Sequence, residues 1–154
     1  MASPDLLTAS SARPCGAEGA ARWPAETVAL LERTFGVEFA VVDGAVGEVV
    51  RPGVDPPGAN WDVRAALCRQ VLQHGRPEFL EEEDPVVVFA LPLGHAAANT
   101  YVAVGTFLAR PLRSGENLSG AAGVLGLDAD AATRWASRQV VWTPEALQRM
   151  SDLA

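Results

Sequence analysis

The sequence predicts an α+β domain: an antiparallel sheet with helices packed on it, ending in a helical C-terminal tail. Three observations carry this expectation. The hydrophobic period switches between helical and strand-like in the order helix, two strands, helix, three strands, helices. The strands come in runs joined by hairpin signals, which is the α+β pattern, rather than alternating singly with helices. The chain has 154 residues, 49% hydrophobic and 20% charged, enough for one core and within the range of ordinary globular proteins.

The elements follow in order. Residues 1–22 are rich in Ala, Ser, Gly and Pro and read as a loose arm. "PAETVALLERTF" (24–35) opens on Pro and closes at Gly36, with Val28, Leu31 and Phe35 as its buried stripe. "VEFAVVDG" (37–44) is rich in β-formers and ends in Asp-Gly, so "GEVVRPG" (47–53) reads as its hairpin return. Pro-Pro in "VDPPGA" breaks both regular structures. Asn60 can cap the helix "WDVRAALCRQVLQHG", which Gly75 closes. Trp61, Val63, Leu67, Cys68, Val71 and Leu72 form its apolar side, and Arg64 falls within that apolar arc.

"PEFLEEED" (77–84) reads as a short strand before an acidic turn. "PVVVFALPLG" (85–94) and "TYVAVGTFLAR" (100–110) are the clearest strands, joined by "HAAANT" as an antiparallel hairpin. The second strand puts Val102, Val104, Thr106 and Leu108 on one face. Tyr101, Ala103, Gly105, Phe107 and Ala109 fall on the other, whose small residues suggest room for a ligand. "SGENLSGAAGVLGLD" reads as a Gly-rich helix, Asp128 or Asp130 as the cap of "AATRWASRQ", and Thr143 with Pro144 as the start of the last helix. That helix has no closing Gly, Asn or Pro and carries Leu147, Met150 and Leu153 as an apolar stripe. Its expected continuation is a connector into a further domain, and an exposed stripe of this kind wants a partner helix.

Composition excludes several classes. A net charge of −7 argues against binding to nucleic acid or to an anionic membrane. All twelve basic residues are Arg, which leaves no Lys for a Schiff base or a Gly-rich phosphate loop. Two cysteines, Cys15 and Cys68, are too few for a disulfide framework. The longest apolar run, "VVVFALPLG", is too short to span a bilayer, and the N-terminus does not read as a secretory signal, so a cytoplasmic protein is expected.

"VVVFALPLGHAAANTYVAVGTFLA" resembles the hairpin of the GAF family of small sensory domains: Leu91, Pro92 and Leu93 end one strand, and Tyr101 to Gly105 open the next. The resemblance covers residues 24–112. Together with "RWASRQVVWTPEAL", it is also similar to N-terminal sensory regions of bacterial signalling proteins with GGDEF, HD-type or kinase output. It implies a sheet of five to six strands, terminal helices on one face, and a pocket on the other beneath the middle helix. It also implies a C-terminal helix that pairs in a homodimer and passes the signal on. The domain reading is an arm (1–22), a GAF-like core (23–112) and a helical extension (113–154) leading to an output domain. The cyclic-nucleotide subgroup uses a motif containing Lys, which this chain lacks. The bilin subgroup uses a Cys followed by His, whereas Cys68 is followed by Arg69. No cofactor is therefore expected.

Trp61 and Arg64, one turn apart at the start of the middle helix, are the leading ligand candidates, with Tyr101 and Gly105. An aromatic face beside a guanidinium suits an anionic or aromatic ligand. The competing reading makes Trp61 core and lets Arg64 snorkel to the surface. Cys68 reads as core, against the alternative of a reactive thiol in a GAF-type reductase. His74 reads as a helix-terminal residue and His95 as a loop residue. Neither has metal-ligand spacing, and no metal site is expected. "EEED" (81–84) reads as a solvated acidic turn. Trp135 and Trp142 read as staples of the terminal helices, against an alternative role on a partner surface. The expectation is a sensory or regulatory domain, not an enzyme. The rivals are a thiol-dependent reductase and a dimerisation module whose pocket is filled by its own side chains.

Overall fold

The computed structural model describes residues 23–53, 61–94, 100–113 and 115–152. The expected arm, the Asn60 cap, Cys15, His95 and Leu153 lie outside the described residues. The fold is α+β, with a five-stranded antiparallel sheet and five helices. In chain order these are α1 (Ala25–Phe35), β1 (Phe39–Asp43), β2 (Glu48–Arg51), α2 (Trp61–His74), β3 (Glu78–Glu83), β4 (Val86–Pro92), β5 (Tyr101–Leu108), α3 (Glu116–Leu125), α4 (Ala129–Ala136) and α5 (Pro144–Ser151). Among the described residues, no helix is long and apolar enough to cross a membrane.

The strand order is β2-β1-β5-β4-β3, so β5 is central and β2 and β3 are the edges. Register follows the apolar pattern: Phe39 faces Gly105, and Phe89 faces Gly105 from the other side. β4 and β5 are buried almost end to end because helices cover both faces. On one face, Phe39, Val41, Val87, Phe89, Ala103 and Phe107 meet Val28 and Phe35 of α1 and Leu147 of α5. On the other, Val42, Val88, Ala90, Val102 and Val104 meet Leu67, Cys68 and Val71 of α2. The terminal helices thus share one face and the middle helix takes the other. Farther along the α2 face, α3 and α4 close over Val86 and Leu108 with Ala121, Leu125 and Trp135.

Local chemistry explains the helix ends. Gly36 ends α1 in the left-handed conformation. The Ala131 N–H donates to the Asp128 carboxylate at 2.7 Å, which selects Asp128 over Asp130 as the α4 cap. The Ala146 N–H donates to the Thr143 hydroxyl at 3.3 Å to start α5.

Two expectations are corrected here. The acidic residues do not form a solvated turn. β3 continues through them to Glu83, Glu82 points inward, and Asp84 pairs with Arg110 and Asn117. Nor does α5 present an exposed seam. Leu147 is fully buried on the sheet, and Met150 packs against the same cluster. A helix this short gains its stability from that packing, not from propensity. Residues 113–152, so far as described, therefore pack on the same sheet as the rest of the chain.

Candidate functional site

Arg64 lies on the inner stripe of α2 with Leu67, Cys68 and Val71, and its exposure is 0%. An unpaired guanidinium there would carry a large desolvation penalty. β3 supplies the counter-charge. Leu80 packs on the α2 face, so Glu82, two residues on, also points toward α2. The Arg64 Nε and Nη2 each donate to one oxygen of the Glu82 carboxylate, both at 3.1 Å, in a two-pronged bond. The Glu82 side chain is only 5% exposed. The indole of Trp61 lies one helical turn from Arg64, its ring centre 5.3 Å from the guanidinium carbon. The reading in which Arg64 snorkels to the surface is thereby overturned.

The pairing of β3 with β4 shifts register between Glu81 and Glu83: Glu81 faces Val87, whereas Glu83 faces Val86. This bulge turns Glu83 to the same face as Glu82. Glu83 then lies against α3, where a Cβ added to Gly120 would come within 2.8 Å of its side chain.

Between α2, β3 and α3 runs a crevice of about 210 Å³, lined by Val63, Leu80, Glu81, Glu82 and Val124. Its wall residue Val63 is 41% exposed, although the sequence placed it on the buried side of its helix. The crevice lies on the α2 face, directly beside the Arg64–Glu82 pair.

The four expected ligand residues do not converge. Trp61 and Arg64 lie on the α2 face, whereas Tyr101 packs with the α1–α5 cluster on the opposite face. Gly105 faces no ligand space. A Cβ there would stand 2.9 Å from ring atoms of both Phe39 and Phe107. The room left by the small residues is filled by Phe35, Phe39, Phe89 and Phe107, whose ring centres are 5.7–6.2 Å apart in each contacting pair. Trp142 completes this cluster, 5.1 Å from Phe35, and its indole N–H donates to the Phe35 carbonyl at 3.0 Å. Trp142 thus staples the terminal helices to the sheet, and Trp135 is buried against Val86 and Leu108. As for the expected interface, Leu147 and Met150 are spent on the chain's own core.

Cys68 is fully buried, and burial raises its thiol pKa to about 11 against the smaller opposing effects of Arg69 and Arg64. His74 approaches the Glu78 carboxylate at 2.5 Å at the end of α2. That hydrogen bond is the chief cause holding the Glu78 carboxyl below its ordinary range. Among the described residues, no group of three or more His, Cys, Asp and Glu side chains is placed to hold a metal ion. Two other clefts lie elsewhere: one of about 250 Å³ by Thr106 and Trp135, and one of about 420 Å³ between the start of β3 and the end of α5.

Sequence reasoning missed Glu82. Its signal was present in two halves: an Arg on an apolar helix stripe, and a Glu two residues after an inward-facing Leu in a strand. Each is anomalous alone, and together they make a pair. No protein-family model, curated protein or solved structure matches this chain.

Proposed function

We propose that this chain is a regulatory binding domain of a signalling protein, GAF-like in type, and not an enzyme. Its binding site is the crevice between α2, β3 and α3. The observation that carries the proposal is the buried Arg64 paired with a Glu82 that also lines an open, partly apolar crevice. A buried ion pair is a poor device for stability alone, because desolvation offsets most of its attraction. Here it fixes α2 over β3 and so holds the crevice walls in one geometry. The terminal helices on one face and the middle helix on the other support the GAF-like reading. The Cys68 thiol, buried and with its pKa raised to about 11, weighs against the thiol reductase, which needs an accessible thiolate.

The signal runs through the sheet to α5. Leu80 faces the crevice and pairs with Val88 of β4. The next residues of β4, Val87 and Phe89, point to the other face, into the cluster that holds Leu147. A displacement of β3 is thereby felt under α5.

The test is an amide-resonance titration with small acids, nucleotides, and peptides of both charge signs. The expected result is shifts confined to residues 61–67, 80–83 and 120–125 with at least one of these classes. Shifts only elsewhere, or none with any class, overturn the proposal.

A further inference from the structure

We propose that the outer edge of β3 takes an extended basic segment of a partner protein as an added strand, at a site separate from the crevice. The backbone is the first argument. β3 ends the sheet and pairs with β4 alone. Among the described residues, the backbone groups on its outer side have no hydrogen-bond partner. Such an edge is a template for another strand. The bulge between Glu81 and Glu83 interrupts it, which confines regular pairing to Glu78–Glu81. Space is the second. The cleft of about 420 Å³ lies beside this stretch, with Pro77 and Phe79 on one wall and Gln148, Ser151 and Asp152 of the α5 end on the other. Phe79 is 38% exposed. It pairs with Phe89, and Glu81 pairs with Val87; both partners face the α1–α5 cluster, so Phe79 and Glu81 stand on the α5 face. A strand edge beside an open cleft holds a peptide's backbone and receives its alternate side chains.

Charge selects the partner. Arg76, the cation of the cleft, is matched by Glu78, its Nε 3.5 Å from the carboxylate. Asp152, across the cleft, accepts the neutral Gln148 amide at 2.9 Å and closes α5, where the helix dipole is negative. Glu81 is exposed. Neither Asp152 nor Glu81 makes an ion pair among the described residues. A second copy of the chain is the wrong occupant, because two β3 edges would set one run of Glu against another. The edge is thus guarded against its own kind and left open to a strand of opposite charge, which the net charge of −7 attracts. The complement is a segment with a basic residue opposite Glu81 and, two positions along on the same face, a β-branched or aromatic residue opposite Phe79.

The experiment uses the full chain and four short labelled peptides built on Thr. The first carries Arg and Val two positions apart, and the second has Glu in place of that Arg. The third sets Arg and Val side by side, which turns them to opposite faces, and the fourth is the first with its backbone N–H groups methylated. Fluorescence anisotropy reads affinity at low and high salt, amide shifts locate the site, and hydrogen exchange reads the edge. The expected result is that the first peptide binds best and is weakened by salt. Exchange then slows within residues 78–81, and shifts fall at 76–81 and 148–152. Glu81→Lys weakens the first peptide about tenfold and turns the preference toward the second, without lowering the melting midpoint, since this side chain is exposed and pairs with no cation. Equal binding of the acidic, side-by-side or methylated peptide overturns the inference. So does binding without slowed exchange at 78–81, indifference to Glu81→Lys, or no binding at all. Shifts confined to residues 61–67 and 120–125 would place the peptide in the crevice, and the edge inference falls while the regulatory reading stands.

Discussion

Removing Glu82 takes from the buried Arg64 the carboxylate that two of its nitrogens meet. Glu82→Ala removes the carboxylate from a guanidinium whose residue is 0% exposed, and the expected loss is about 3–5 kcal/mol in a urea titration. Replacing both, with Arg64→Met and Glu82→Leu together, restores much of that loss, because two hydrophobic residues need no partner. If the double variant is no better than the single one, the pair is not coupled and the argument from its burial fails. Gly105→Ala tests the other face. The added methyl meets two Phe rings, and the expected cost is about 1–3 kcal/mol, without any change in crevice binding. Equal stability of that variant would mean the rings can move aside and that the face has spare room after all. Glu78 gives a pH test. Its carboxyl is held below its ordinary value near 4.5, chiefly by the hydrogen bond from His74. A depressed folded value means the carboxylate form is favoured in the native state, so this contribution is present above about pH 4.5 and fades as pH falls through the lowered folded value. His74→Ala is expected to flatten the stability profile across that acid window. The check is urea unfolding at stepped pH.

At the scale of elements, what could be read from the sequence was whatever local chemistry dictates. α1 stops at Gly36, and α4 and α5 start at Asp128 and at Thr143–Pro144, where the sequence put them: Gly36 and Pro144 act through their own backbone, Asp128 and Thr143 through side-chain oxygens that accept a nearby N–H. β4 and β5 were plain from their apolar runs. β3 was misread at its end because four consecutive acids look like a solvated turn. What keeps them in a strand is pairing with β4 and a buried Arg far away in sequence, neither of which leaves a local mark. The small face of β5 was misread for the same reason. Phe35, Phe39 and Phe89 come from three other elements, and only tertiary contact shows that they fill the space. The tail shows the limit most sharply. An amphipathic stripe states that a helix must be covered and not by what. Since α5 is covered by the sheet, Leu147→Ala is expected to cost about 2–5 kcal/mol as a core truncation while leaving the oligomeric state unaltered. Sedimentation equilibrium beside a urea curve would check both halves, and a change of oligomeric state with unchanged stability would restore the seam.

Across the whole molecule, the sheet is the link between crevice and tail. Both faces are covered, and successive residues of β4 alternate between them: Val88 toward α2, Val87 and Phe89 toward α1 and α5. A close-packed layer of this kind passes strain from one face to the other instead of absorbing it. An occupant wedged between Val63 and Leu80 pushes β3 against β4, and the aromatic cluster beneath Leu147 must adjust. The expected outcome is altered hydrogen exchange at residues 146–150 when the crevice is filled, with the amides of α1 nearer β2 unaffected. α5 is the natural place for such a response. It is two turns long and is held by Leu147, Met150 and the Trp142 staple, so it opens at lower cost than the central strands. Trp142→Phe removes the indole bond to the Phe35 carbonyl and should raise exchange in α5 whether or not the crevice is filled, reducing the difference between the two states. If filling the crevice leaves α5 exchange unchanged in the native protein, the tail is a structural clasp, and any signal leaves the domain by another surface.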